Sequence, residues 1–406
     1  MARSIRIASL AVALSLVAGC HVFAPHRNSN SHTPEEVERL PLWQRVEASG
    51  GARVQSHSGE VLALKEVAKE PVQLLTAGAD GNIVAWTLPN GSASQLRSLG
   101  GPIQLAAFGE KHSLVAWATG FTVHVACLEG CSKRWQLDEL KTRTTSLAFH
   151  EDDSALLIGG TDGRVYRWRF TTVDTAESTR EREKILERYI AHQTMVSSVA
   201  SLPTGRAFFS SDWDGMLYGW LAYTADDQQG EYDRNLFGGR FFGNIGTYLR
   251  ASRLPDRGIT ALSVSADGTR LAVGADDGFI EVWEVRGFEM IARTQAHTGR
   301  VTGISLNNNG TRVASVARDS HIVAYEITPD SLYKIKPGAM AATLSPILND
   351  EMKSVKGAYF LSSGDLIVTT TSGELGEVAL RVKTAAPSPT RIPSSQQKAH
   401  ASDSDY

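Results

Sequence analysis

One phrase recurs along this chain and constrains its fold more than any other feature. At residues 271–285 it reads "LAVGADDGFIEVWEV": two short runs around Asp277-Gly278, with Trp283 near the end. Looser copies are "LLTAGADGNIVAWTL" with Trp86, "LLIGGTDGRVYRWRF" with Trp168, "FFSSDWDGMLYGWLA" with Trp220, and "VASVARDSHIVAYEI" with Tyr325. In each copy an aspartate lies six residues before the aromatic: Asp80, Asp162, Asp214, Asp277 and Asp319. Leu271, Val273 and Ala275 alternate with other residues, as strands with one buried face do. Asp-Gly between such runs is a hairpin signal, because glycine takes positive φ without steric cost. A lone hairpin is marginal in water, so the copies are expected to pack on one another.

A second spacing runs through three of the units. His57 precedes Asp80 by 23 residues, while His192 precedes Asp214 and His297 precedes Asp319 by 22. A hydroxyl residue stands ten before each aromatic: Thr76 before Trp86, Ser210 before Trp220, Ser315 before Tyr325. Each of the three therefore carries His, Ser or Thr, Asp and an aromatic in fixed order.

With these residues the sequence resembles the WD-repeat β-propeller family. The resemblance covers roughly residues 52–382 and implies four-stranded antiparallel blades in which the four residues form one hydrogen-bonded network. It departs from the family in one respect: no copy ends in the Trp-Asp pair, Trp86 being followed by Thr87 and Trp283 by Glu284. Two further units, "PIQLAAFGEKHSLVAWATGFTVHVACL" and "VKGAYFLSSGDLIVTTTSGELGEVALRV", lack the network residues but keep the strand pattern. Counting them gives an all-β, seven-bladed propeller, with third strands ending near Trp86, Val125, Trp168, Trp220, Trp283, Tyr325 and Val378. "GARVQSH" before His57 matches "MIARTQAH" before His297. Residues 52–56 are thus expected to be the fourth strand of the last blade, closing the ring and removing an exposed edge.

A length of 406 residues alone would suggest two or three domains, but the repeat assigns residues 51–383 to one propeller. The formal net charge is −3 and there is no basic block, so a nucleic-acid partner is not expected. Residues 1–19 read as a signal peptide: Arg3 and Arg6, then an apolar run over 7–18 that is too short to span a bilayer. "LVAGC" resembles the bacterial lipobox, which implies an acylated Cys20 as first mature residue. At about 0.8 kcal/mol per buried methylene, more than one acyl chain makes a stable membrane anchor. His21, rather than Asp, follows the cysteine, which in a Gram-negative host implies the inner leaflet of the outer membrane, facing the periplasm. Residues 20–50 then form a polar tether and 384–406 a polar tail. His21, His26 and His32 lie in the tether, where nothing fixes the geometry of a metal site.

Cys127 and Cys131 flank "LEG" at the turn from a third to a fourth strand. In an oxidising envelope they pair as a disulfide that constrains only about 2 kcal/mol of chain entropy. Two free thiols, or half of a zinc site without a second ligand pair nearby, are the alternatives.

His192, Ser210 and Asp214 have the residue types of a hydrolase triad, but the same set recurs at His57 and His297. A catalytic triad need occur once, whereas a network that staples blades should recur. No phosphate loop, dinucleotide fingerprint, zinc-protease motif or nucleophile elbow is present, so neither enzymatic activity nor a cofactor is expected.

Function is then sought on loops. Successive third-strand ends are separated by 39, 43, 52, 63, 42 and 53 residues, and the excess falls after Trp168, Trp220 and Tyr325. The middle insertion, 223–244, carries Tyr232, Phe237, Arg240, Phe241 and Phe242 among glycines. Aromatics and arginine dominate binding hot spots, which marks these five as the partner-binding candidates; a satellite core is the alternative. The expectation is a lipid-anchored, non-catalytic scaffold that binds another envelope protein. The alternative is an enzyme or ligand-binding protein that uses the central channel, and a cluster of charged side chains at the channel mouth would favour it.

Overall fold

A computed structural model describes residues 57–378 except 70, 89–91, 111–112, 129–132, 139, 151, 171–184, 223–247, 255–256, 330–341 and 352–353. Within them the chain forms seven antiparallel sheets whose strands follow in sequence order, six of four strands and one of three. The first strands are Val61–Lys69, Leu105–Phe108, Thr144–His150, Val196–Ser201, Ile259–Val264, Val301–Leu306 and Val355–Phe360. Each lies against the first strands of the neighbouring blades, and the seventh lies against the first, so the sheets stand as a ring around a central channel. The fold is a seven-bladed β-propeller. The last blade shows Val355–Phe360, Leu366–Thr370 and Leu375–Val378. Its expected fourth strand at residues 52–56 lies outside the described residues.

Alternation over 271–275 suggested strands with one buried face, and here the structure differs. Arg270–Ala275 is buried at every position after the arginine, and Ala155–Gly160 and Ile259–Val264 are buried throughout. Neighbouring blades cover both faces of each sheet. What alternates is size: Leu271 and Val273 fill one interface, while Ala272 and Gly274 leave room at the other. A Cβ at Gly274 would stand 2.5 Å from Val301 Cγ1, so the innermost strand of the next blade occupies that space.

The hairpins between second and third strands turn through residues of positive φ: Gly81, Gly163, Gly215, Gly278, Ser320 and Gly373. All five of these glycines meet carbonyls at the entry to the following blade, Gly81 facing Gly101 O. A Cβ at Gly163 would stand 2.7 Å from His192 O, and at Gly278 2.1 Å from His297 O. At Gly215 it would meet Arg257 O at 2.3 Å. Gly373 makes the same approach to His57 O, so the seventh blade meets the first as blades 1, 3, 4 and 5 meet their successors.

Candidate functional site

The His–hydroxyl–Asp–aromatic sets lie where the entry to a blade crosses its own second-to-third hairpin. In blade 1, Trp86 Nε1 donates to Thr76 Oγ1 at 2.9 Å, and Thr76 Oγ1 is 2.8 Å from His57 Nε2. His57 Nδ1 is 3.1 Å from Asp80 Oδ1. Asp80 also accepts the N–H groups of Ser58 and Asn82, both at 3.0 Å. The indole can only donate, so the threonine hydroxyl passes its own proton toward Nε2. The histidine is then neutral with its proton on Nδ1, facing the carboxylate.

Burial is the main cause holding His57 below its ordinary pKa, against the opposing pull of Asp80. For Asp80 burial acts to raise the pKa, but the N–H donors and His57 outweigh it and the carboxyl lies below its usual value. Blade 6 repeats the geometry: His297 Nδ1 is 3.2 Å from both Asp319 oxygens, and Nε2 is 2.8 Å from Ser315 Oγ. Tyr325 replaces the tryptophan there, so the relay begins at the serine.

Blade 4 corrects one sequence assignment. His192 Nδ1 pairs with Asp212 Oδ2 at 2.8 Å, not with Asp214, which is exposed. His192 Nε2 lies 2.6 Å from Ser210 Oγ, which accepts from Trp220 Nε1 at 2.7 Å. Asp212 Oδ1 caps the turn as well, accepting from the backbone N–H of Asp214 at 3.0 Å and of Met216 at 2.8 Å. The equivalent position in blade 1 is Gly78, where a Cβ would stand 2.2 Å from His57 Nδ1. Blade 4 fills that space with a carboxylate two residues earlier than the repeat spacing implies.

Chemically these sets are closed. Thr76, Ser210 and Ser315 are fully buried, and each hydroxyl is engaged by its histidine. A nucleophile needs an exposed oxygen beside an oxyanion site; these hydroxyls have no room for a substrate. Blades 3 and 5 use other partners: Tyr166 donates to Asp162 at 2.7 Å, and Trp283 Nε1 donates to Glu281 at 3.0 Å.

The other predicted residues fall elsewhere. Cys127 ends a third strand, is buried and is disulfide-bonded; Cys131 lies outside the described residues. Cys20, Tyr232, Phe237, Arg240, Phe241 and Phe242 are outside them as well. The strands that flank the three insertions pair as third and fourth strands, Arg169 with Ile185, Trp220 with Tyr248 and Pro329 with Ala342. Among the described residues no group of three or more His, Cys, Asp and Glu could hold a metal. Nor is any helix among them long and apolar enough to cross a membrane.

Sequence reasoning did not reach the channel mouth. A depression with an empty volume of about 500 Å³ opens there among the starts of the first strands of blades 3 to 7. Trp213, Arg300, Arg318 and Lys356 line it, and no acidic side chain does. Arg300 precedes a first strand and Arg318 follows the adjacent second strand, tied by an Arg318 N–H to Arg300 O bond of 3.0 Å. "AHTGRV" and "VARDS" carry these two arginines, but only the hairpin register, Val301 opposite Ala317, brings them side by side.

A ring of seven antiparallel sheets, three of them stapled by a His, hydroxyl and Asp set, defines a seven-bladed β-propeller. Segments 183–220, 248–284 and 288–326 match the WD40 family, described as WD domain, G-beta repeat. The WD40 β-propeller domain of Doa1 has the same architecture, with a TM-score of 0.57 at 14% identity over 81% of this chain and 95% of that one. Protein HIR1 from two strains of Cryptococcus neoformans var. neoformans serotype D is 27% identical over 172 residues. That match takes in 40% of this chain and spans 18% of the fungal proteins' length.

Proposed function

We propose that this chain is a lipid-anchored envelope protein, held by an acylated Cys20 at the inner leaflet of the outer membrane, whose propeller is a non-catalytic scaffold for another envelope protein. The observation that carries the scaffold reading is the closure of the His–hydroxyl–Asp sets. They recur in three blades, their histidines and hydroxyls are buried, and the members satisfy one another, so they serve the fold. A WD40-type propeller whose recurrent His–hydroxyl–Asp sets are closed to substrate fits a protein-interaction platform. The three insertions each follow a third strand, Arg164–Arg169, Met216–Leu221 or His321–Pro329, and these strands end on one face of the ring, the first two in neighbouring blades. The middle one carries Phe237, Phe241 and Phe242, the side chains best suited to anchor a partner.

The anchor reading rests on "LVAGC" after a short apolar run that opens with two arginines. The second reading, a ligand site in the central channel, has one observation in its favour: the cations Arg300, Arg318 and Lys356 gather at the mouth.

Capture of partners from detergent-solubilised envelope, with wild type and with a Phe237→Ser/Phe241→Ser/Phe242→Ser variant, tests the scaffold. Specific capture by wild type that is lost in the folded variant is the expected result. Absence of any saturable capture by wild type overturns the scaffold reading; equal capture by both moves the site off the insertion.

A further inference from the structure

The channel mouth and the strand ends that flank the insertions lie on opposite faces of the ring. In a four-stranded antiparallel blade the second-to-third hairpin and the entry to the first strand share one end, and the third-to-fourth connection leaves at the other. Trp213, in the blade 4 hairpin, and Arg318, after the second strand of blade 6, therefore belong to the first face. Trp213 reaches across blade 5 to blade 6. A Cβ at Gly258 would stand 3.3 Å from its ring and 2.8 Å from its carbonyl oxygen, so only glycine lets the indole pass so close. The Arg300 guanidinium lies over the same ring, 4.3 Å from the centroid. This places a cation on an aromatic platform at the lip of the channel.

The cations are not fully neutralised. Lys356 pairs with Glu60 at 3.0 Å. Asp276, which accepts from Gly258 N–H at 3.0 Å, is the acidic group that acts on Arg300. Arg318 is exposed and makes no ion pair among the described residues. Burial first, and then the charge of Arg318, hold Arg300 below its usual pKa, with Asp276 acting in the opposite direction. An arginine pair of this kind is suited to a carboxylate or phosphate, which it can grip at two points.

The surroundings narrow the choice of ligand. Met195, Val196, Val301 and the exposed part of Trp213 line the same depression, so an anion held here has apolar side chains beside it. Met195 is 38% exposed, enough to receive a partner's side chain. A nucleic acid would need a track of cations along its backbone, and this is one depression on a chain of net charge −3.

We propose that the mouth of the propeller channel binds an acidic segment of a protein partner, its carboxylate or phosphorylated side chain held between Arg300 and Arg318 and an apolar neighbour set against Trp213 and Met195. The proposal rests on the scaffold reading and gives it a second contact surface, chemically unlike the aromatic insertion. Because Arg318 is exposed, its charge serves binding rather than packing.

The test is fluorescence anisotropy with the full chain and three fluorescein-labelled ten-residue peptides that alternate leucine with glutamate, with phosphoserine or with glutamine. At least one anionic peptide is expected to bind tenfold or more tighter than the glutamine peptide, and the tighter of the two identifies the anion. Arg318→Gln, at an exposed position that leaves folding intact, should remove most of that preference. Trp213→Ala should weaken anionic and neutral peptides alike. Equal binding of all three peptides, or an anionic preference unchanged in Arg318→Gln, overturns the proposal. So does binding of inorganic phosphate with no peptide binding, which would mean an adventitious ion only. If the peptides fail while envelope capture persists and still depends on the insertion phenylalanines, the channel proposal falls and the scaffold stands.

Discussion

Glu66 and Ser362, 296 residues apart in sequence, join the ends of the ring: Ser362 donates from its backbone N–H and its hydroxyl to the two Glu66 carboxylate oxygens, each at 2.7 Å. Other blade junctions use related bonds near the same level. Ser305 Oγ accepts the Phe360 N–H at 3.4 Å, and Ser263 Oγ accepts the Leu306 N–H at 3.2 Å. The closing junction places two bonds on one buried carboxylate, and at the junction of blades 2 and 3 the buried Asp153 accepts the Glu110 N–H at 2.8 Å. The closing junction is also the one whose loop entropy is greatest, since the whole propeller must be ordered before it forms.

Glu66→Ala is therefore expected to destabilise the protein by roughly 1.5–3 kcal/mol, the scale of hydrogen bonds to a charged group. Ser363→Ala, at an exposed residue whose hydroxyl meets only Asp365, is the control and should change stability by about 0.5 kcal/mol or less. Urea unfolding of both variants measures this. An effect of Glu66→Ala no larger than the control would show that the closing blade is held by other contacts.

In blade 4 the two aspartates separate by role. Asp212→Ala leaves His192 Nδ1 and two turn N–H groups without their acceptor in a buried site, and should cost about 1–3 kcal/mol. Asp214→Ala alters an exposed side chain and should stay within about 0.5 kcal/mol. Thermal melts of the pair decide the assignment; the reverse order would restore the residue that the repeat spacing picked.

That inversion shows what the sequence could tell. The hairpins were legible because Asp-Gly or Asp-Ser, a fixed six-residue step and a terminal aromatic depend on backbone geometry common to all blades. Which carboxylate meets the histidine depends on whether the position two residues before the turn aspartate itself carries a carboxylate. Gly78 and Ala317 leave the histidine to the later aspartate, whereas Asp212 intercepts it. The channel mouth was illegible for a different reason: Trp213, Arg300 and Lys356 come from blades 4, 6 and 7, and only ring closure sets their spacing. The partner candidates of the insertion were chosen from composition, and their placement lies outside the described residues.

Stability should fall as pH drops from about 7 toward 5. His57 and His297 lie below their usual pKa, mainly through burial, and the fully buried His150 lies well below it. A group whose folded pKa is lowered takes up its proton more readily in the unfolded chain. Folding is then favoured above the unfolded value of 6.5 and loses ground below it, until the folded value is reached. Each such histidine contributes a slope of up to about 1.4 kcal/mol per pH unit in that window. Chemical denaturation at pH 5, 6, 7 and 8 should show the decline, and His57→Asn should flatten it. A profile unchanged in His57→Asn would mean that this histidine is as basic folded as unfolded.

Fractionation tests the anchor. Cys20→Ala should shift the protein from the membrane pellet to the soluble fraction or leave it unprocessed, because the acyl chains supply the burial that holds it. A variant that pellets with the membrane like wild type removes the lipobox reading, whatever the propeller binds.

The last test concerns the turn at which blade 7 meets blade 1. Gly373 has φ +86°, and a Cβ there would stand 2.5 Å from His57 O and 2.7 Å from Gly59 O. Gly373→Ala thus carries two penalties, left-handed backbone strain of about 1–2 kcal/mol and a collision with the entry of blade 1. Gly120 separates them. It occupies the corresponding hairpin of blade 2 at φ +63°, with nothing within 4 Å of the added carbon, so Gly120→Ala reports backbone strain alone. The collision at Gly373 is with backbone, which cannot swing aside as a flexible side chain would. It also pushes on His57, whose ring is held to Thr76 and Asp80, so the damage should spread into the blade 1 network. Gly373→Ala is expected to lower Tm well beyond Gly120→Ala and to raise the exchange rate of blade 1 amides. Equal melting temperatures for the two variants would mean that the blades part easily at this turn and that the bonds between Glu66 and Ser362 hold the ring by themselves.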